Sequence, residues 1–355
     1  MASNTPRLDA VERQMAVNGN FDFWQRGTSF STNGGYTADR WNQIFAGGYT
    51  QTVTQSTDVP TVAQSGFQSR YSLLLTNGTG ASPTSGAYQE IRHILEGQDY
   101  QQIHGRKARL QFWCKSSVTG TFSVAFYNNT ATRSYVSPFT VNAANTWEKK
   151  FIDLTLDSSG TWLFDNGRGL NIIWSLTAGS SFQTSSPNTW LNNGDFEGIT
   201  GQTQWGATTG ATFQLSQVML IPQDFTLAGA SNVDVPFQRA GRTIGHELAM
   251  CKRYCEVINK TATAYIANGY VASTTGAGLI LNFEEKRVAP TISFSAASSY
   301  NILCGSAQTT CTSIGTSYID VKSANLAPNA TGLSLGQAAI LVSNTTTAII
   351  IDAEL

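Results

Sequence analysis

The chain is 355 residues long, carries a formal charge of −1 and is charged at only 13% of its positions. That balance argues against a nucleic-acid partner, whose footprint is a clustered basic surface, and no run approaches the roughly 18–20 apolar residues that span a bilayer. Ser, Thr, Asn, Gln and Gly must therefore cover most of the surface, a composition suited to a β-rich extracellular-type or virion protein.

The first residues, "MASNTPRLDAVERQMAV", lack the apolar stretch of an export signal, so synthesis in a cytoplasm is expected. Leu8, Val11 and Met15 fall near helical spacing and predict a short helix within 7–17, too short to stand without docking. In "NGNFDFWQRGTSF" (18–30) the alternation of Phe21 and Phe23 predicts a strand, and "YTADRW" (36–41) the next one. Their aromatics are expected between two sheets, with Arg26, Asp39 and Arg40 tying the adjoining loops. From there to about Pro222 the reading is β throughout. "GYTQTVTQS", "RYSLLLTNG", "ARLQFWCKSS", "GTFSVAFYNN", "WEKKFIDLTL", "GLNIIWSLTAG" and "TFQLSQVMLI" are strand-length runs bounded by Gly, Asn, Ser and Pro. Phe122, Val124 and Phe126 alternate onto one face, whereas "LNIIWSL" is apolar on both faces and belongs near the middle of a sheet. This many strands with long polar loops predicts a two-sheet sandwich of jelly-roll type.

The stretch 222–241 reads as loop. In "TIGHELAMCKRYCEVIN" the apolar residues Ile244, Leu248, Cys251, Cys255 and Ile258 recur at helical spacing. They predict a helix over 244–258 with one buried stripe and with Glu247, Lys252, Arg253 and Glu256 on its polar side. Strand patterns then return in "AYIANGYVAS", "AGLILNFEEKRVAP", "TISFSAA", "SYIDVKS" and "AAILVSNTTTAIIIDAEL". The expected organisation is an all-β protein: an arm at 1–17, a jelly-roll sandwich at 18–224, a connector with one helix at 225–260 and a smaller sandwich at 261–355.

Residues of catalytic type do not assemble along the sequence. "HELAMC" opens like a zinc-protease motif, but position 250 is Met where the second His must stand. Cys251 and Cys255 are explained by the apolar stripe, so neither metal nor cofactor is expected. Cys304 and Cys311 could face each other across a hairpin. The three histidines, His93, His104 and His246, lie near no Gly-x-Ser-x-Gly turn. Glu90, Asp165, Asp195 and Glu197 are nominal glycosidase carboxylates, although acidic residues in polar loops are commonly just solvated. Sugar contact is better motivated. Trp190 and Trp205, with Asp195 between them, sit in the long polar stretch 180–206, and Trp162 sits beside "DNGRG". Loops on a rigid sandwich are a usual place for recognition. The competing reading is that these tryptophans cap the core or pack on a neighbouring subunit.

"NGNFDFWQRGTSF", "YTADRW", "NTWEKKFIDLTL" and "FQLSQVMLIP" resemble the N-terminal β-sandwich of bacteriophage tail-fibre and other virion surface proteins. That sandwich is itself similar to galactose-binding-like carbohydrate-binding modules. "FQRAGRTIGHELAMCKRYCEV", "FEEKRVAPTISFS" and "IDAEL" resemble the helix and following strands of phage tail and fibre proteins, with Lys252 in place of the usual Gln and Cys255 in place of the second Tyr. The resemblance implies a non-enzymatic virion structural protein, a tail fibre or receptor-binding component that contacts host surface glycans. A capsid head fibre or decoration protein is the alternative, and a polysaccharide-degrading enzyme a second one. It further implies a homotrimer, built mainly through the helix (Leu248, Cys251, Tyr254, Cys255) and the C-terminal sandwich. The arm would attach to other virion proteins. The weakly charged "TTTAIIIDAEL" is an independent reason to expect a symmetric partner on the C-terminal part.

Overall fold

The computed structural model describes residues 14–192, 194–222 and 236–355. The expected 7–17 helix falls mostly outside them, and residues 14–17 are not helical. The chain divides into two units, Met1–Glu247 with Leu355, and Leu248–Glu354.

The N-terminal unit is a sandwich of two six-stranded antiparallel sheets. The first runs in the order Ser29–Phe30, Gln51–Ser56, Ser72–Asn77, Thr212–Pro222, Lys107–Ser116 and Glu148–Thr155. The second runs Trp190–Asn192, Arg133–Val141, Gly120–Tyr127, Arg168–Ala178, Tyr88–Glu96 and Trp41–Ala46. Strand Thr212–Pro222 lies between Ser72–Asn77 and Lys107–Ser116, so the chain crosses repeatedly between sheets, as a jelly roll requires. Period-two alternation sorts the side chains: Phe122, Val124 and Phe126 meet Leu110, Phe112 and Phe213 in one core. Strand Arg168–Ala178 is buried along almost its whole length, as its two-sided apolarity predicts.

The opening stretch departs from expectation. Residues 18–28 form a turn and an irregular segment, and strand structure is confined to Ser29–Phe30. Asn18 supplies what a strand partner would have. Its side-chain amide donates to the carbonyls of Phe23 and Asp39, both at 2.9 Å, and its Oδ1 accepts from Phe23 N–H. Asn18 and Phe21 hold left-handed φ values of 56°. Gly19 lies where a Cβ would sit 2.0 Å from the Val218 carbonyl oxygen, so the chain passes there without a side chain. In "YTADRW" the strand begins at Trp41. Asp39 is buried, accepts from the Gln25 backbone and side chain, and stands 4.0 Å from Arg26, while Arg40 donates to the Ile94 carbonyl. Two strands carried no clean sequence signal: Tyr88–Glu96, rich in charged residues, and Arg133–Val141, interrupted by Pro138.

The helix also differs. It spans Ile244–Lys252, and Cys255–Lys260 is a strand paired with Thr347–Asp352. The β-branched pair Val257–Ile258 suits that strand better than a helix. Glu247, expected on the polar face, is buried and accepts from the Asn18 and Gly241 backbone N–H groups. Burial raises its pKa against those bonds.

The C-terminal unit holds a three-stranded sheet, Cys255–Lys260, Thr347–Asp352 and Thr291–Phe294. Its seven-stranded sheet runs Ala307–Thr310, Tyr300–Cys304, Ala338–Ser343, Tyr265–Ser273, Gly276–Asn282, Ser323–Asn329 and Ser313–Ser317. Leu279, Tyr300, Ile302, Leu326, Leu341 and Ile351 form its core. "SYIDVKS" is the turn between two strands instead of a strand. Cys304 pairs with Ala307 while Cys311 N–H bonds the Tyr300 carbonyl at the other end of the hairpin, and both thiols are free.

His93 is a buried neutral imidazole beside Trp41, within 3.1 Å of the Val17 carbonyl. Burial, aided by Arg40, lowers its pKa to about 3. A depressed histidine contributes stability above its unfolded value of about 6.5, and that contribution is lost as pH falls from there toward 3. Urea midpoints between pH 7 and pH 4 should therefore fall less steeply in His93→Gln than in the wild type; parallel slopes would contradict this.

Candidate functional site

At one end of the N-terminal sandwich, three loops converge: 97–106, 156–167 and the approach to Trp190. The structure joins Trp162 and Trp190 there, with ring centroids 5.8 Å apart at 88°. Tyr100 packs on Trp162 at 4.9 Å, and Tyr135 packs on Trp190 at 5.3 Å. Both indoles are fixed by backbone carbonyls: Trp162 donates to Ser159 at 2.8 Å and Trp190 to Thr155 at 2.7 Å. Trp162 is only 7% exposed, so it backs the cluster instead of offering a face, whereas Trp190 is half-buried.

The open ring is one the sequence reading did not single out. Phe164 is 40% exposed, stacked on Tyr100 at 6.4 Å and 18° and edged by His104 at 5.0 Å. The loops and strands that carry these rings also carry polar groups with set orientations. Gln98 donates to Asn166 Oδ1 at 2.8 Å, Asp165 accepts from Gly167 N–H at 2.7 Å, and Arg133 bridges Asp157 and Asn192. The buried Tyr100 hydroxyl has its pKa pushed up by burial, so it remains a neutral phenol. A flat apolar ring on rigid backing, rimmed by amides and a carboxylate, can stack on the apolar face of a sugar while the rim bonds its hydroxyls. The available sequence signal was Phe164 standing in the same polar loop as Trp162.

Trp205 lies elsewhere. It is fully buried in the main core, so the expectation that it offers a sugar platform is corrected. Its neighbour Gly206 is pinned by Thr177 and Asn77, and a Cβ there would sit 2.0 Å from Gln89 Oε1. Asp195 also sits apart from the aromatic cluster, in a group of acids with Glu90, Glu197 and Arg92 on the outer face of the second sheet. Three of the four nominal carboxylates thus come together and Asp165 does not. Glu90 and Glu197 are buried, not solvated. Glu90 pairs with the Arg92 guanidinium, a structural ion pair within the strand.

The residues expected at an oligomer interface are mostly interior to the single chain. Cys251, Tyr254 and Cys255 are buried and Leu248 half-buried. Among the described residues no group of three or more His, Cys, Asp or Glu side chains is placed to hold a metal.

No protein-family model matches the chain, and no curated protein matches it. Solved structures with a similar fold include the enzymatically active domain of tailspike protein 4 of bacteriophage CBA120, at 14% identity and a TM-score of 0.32 over 59% of this chain and 21% of that one. TmCBM61 in complex with β-1,4-galactotriose has 9% identity and a TM-score of 0.30 over 59% and 99% of the two chains. A family 11 carbohydrate-binding module from Clostridium thermocellum, in complex with a mixed-linked tetrasaccharide, has 13% identity and a TM-score of 0.29 over 55% and 96%. This chain thus spans about a fifth of the tailspike chain.

Proposed function

We propose that the protein is a non-enzymatic virion surface protein of tail-fibre or receptor-binding type, whose N-terminal sandwich contacts a host glycan at the loop end built around Phe164 and Trp190. The observation that carries this reading is the exposed Phe164 ring, stacked on a buried aromatic and rimmed by Gln98, Asn166 and Asp165. A ring that served the core alone would be covered. The sparse charge and the motif resemblance support the virion setting, in which a homotrimer would be attached through its N-terminal arm.

Phe164→Ala and Trp190→Ala, compared with wild type on a glycan array and by thermal melting, test the site. Loss of the Phe164 ring should weaken glycan binding at least tenfold, equivalent to about 1.4 kcal/mol, with melting within about 0.5 kcal/mol of wild type because the ring is exposed. A wild-type protein that binds no glycan, or a Phe164→Ala variant that binds undiminished, removes glycan contact from this site. The first result favours a decoration protein whose role is assembly.

A further inference from the structure

The seven-stranded sheet of the C-terminal unit packs one face on its core and turns the other outward. None of its strands contains Asp, Glu, Lys, Arg or His. A line of small residues crosses the outward face. Tyr270 is paired with Gly278, and Ala327 with Gly315. Gly278 and Ala327 are brought opposite each other by the flanking pairs Gly276 with Asn329 and Leu279 with Leu326. These residues alternate with the core residues Val271, Leu279 and Leu326, so they lie on the outward side. From Tyr270 to Gly315 the line covers three strand spacings, about 14 Å.

The floor of this trough is bare for no internal reason. A Cβ on Gly278 would meet Asn325 Oδ1 at 3.6 Å and Tyr270 Cε1 at 3.9 Å, and one on Gly315 would meet Ala327 at 3.9 Å, all ordinary contacts. Neither glycine has a left-handed φ. Gly269 differs, since a Cβ there would sit 2.0 Å from the Gly278 carbonyl oxygen. Glycine weakens a strand interior, and where backbone and packing do not require it, it marks close approach by another molecule. The walls have fixed orientations. Asn325 donates to the Ser317 hydroxyl and Asn329 to the Ser313 hydroxyl, both at 2.9 Å. Each bond turns the amide's Oδ1 toward a glycine, Gly278 for Asn325 and Gly276 for Asn329. The two amides stand four residues apart, about 13 Å, on either side of Ala327. Tyr270, 60% exposed, closes one end of the trough and leans over Gly278.

We infer that this trough binds a neutral oligosaccharide: the Tyr270 ring stacks on a pyranose face, the Asn325 and Asn329 carbonyls accept from its hydroxyls, and Gly278 and Gly315 let it lie against the sheet. An anionic glycan would find no cation on these strands to offset its desolvation. A second copy of the chain could use the bare floor but has no need of two oriented acceptors beside an open ring. The site lies within the C-terminal unit and does not rest on the reading of Phe164.

Gly278→Val and Gly315→Val raise the floor with a residue that strands favour. Each variant should melt at or slightly above the wild-type temperature yet bind at least tenfold more weakly. Tyr270→Ala should lose a similar factor with melting unchanged, because the ring is exposed. Wild type, these variants and Phe164→Ala are compared on an array of neutral and uronic-acid oligosaccharides, with calorimetric titration of the sugars bound. A neutral sugar still bound by Phe164→Ala and weakened in all three trough variants supports the site. A sugar lost in Phe164→Ala alone keeps that site and sinks this one, whereas loss only in the trough variants does the reverse. No neutral sugar bound by wild type, a preference for the uronic-acid sugars, or undiminished binding in either valine variant overturns the proposal. So does light scattering in which wild-type self-association disappears in Gly278→Val, since that assigns the face to a second copy.

Discussion

Trp41→Ala is expected to destabilise the N-terminal unit by about 3–5 kcal/mol, the cost of removing a buried tryptophan from a packed core. The ring is fully buried, with Phe21, His93 and Trp174 at 4.8, 5.0 and 5.4 Å. Its indole N–H donates to the Asn18 carbonyl at 3.1 Å, so the loss reaches the irregular opening segment as well as the space between the sheets. Asn18 in turn bonds Phe23 and Asp39, and those loops would lose their anchor. Urea unfolding followed by far-ultraviolet circular dichroism measures the effect, with Phe164→Ala as the exposed-ring control. A Trp41→Ala midpoint as close to wild type as that control would show that Trp41 is not the centre of this core.

The second large effect belongs to the C-terminal unit. Lys286 has a completely buried side chain, donating to Glu256 at 3.0 Å and to the Glu284 carbonyl at 2.8 Å. Glu256 also accepts from the Glu284 N–H and pairs with Lys252 at 3.1 Å. Removing one member of a buried pair strands the other charge. Glu256→Ala should therefore cost about 3–5 kcal/mol, while Glu256→Gln combined with Lys286→Met should recover much of that loss. Burial opposes ionisation of Glu256, but the Glu284 N–H and the two lysines outweigh it and hold the carboxyl below the usual range. Its contribution is thus present above the ordinary glutamate pKa and lost as pH falls through its lower folded value. Acid unfolding of Glu256→Ala should be correspondingly less steep. A single variant as stable as the double would mean that Lys286 does not need this partner.

Local chemistry was enough to read the β class and most strands. Period-two apolar runs and Gly, Asn and Pro boundaries act between near neighbours, as in Phe122, Val124 and Phe126. The expectation that Trp162 belongs to a loop came from the same local signals, whereas Trp190, also expected in a loop, opens the edge strand Trp190–Asn192 because Arg133–Val141 offers it a partner. What tertiary structure decided depends on partners far along the chain. Cys255–Lys260 has helical spacing, yet it is a strand because Thr347–Asp352 offers it a complete antiparallel partner. Residues 18–28 alternate like a strand, but the Asn18 side chain takes up the backbone groups a ladder would have used. Tyr88–Glu96 carries no clean strand signal because Glu90 and Arg92 interrupt its apolar pattern; the sheet tolerates both because they form an ion pair with each other. Trp205 and Phe164 were separated by the same cause. Burial is a property of what folds over a residue, and no sequence window contains the segments that cover one ring and leave the other open.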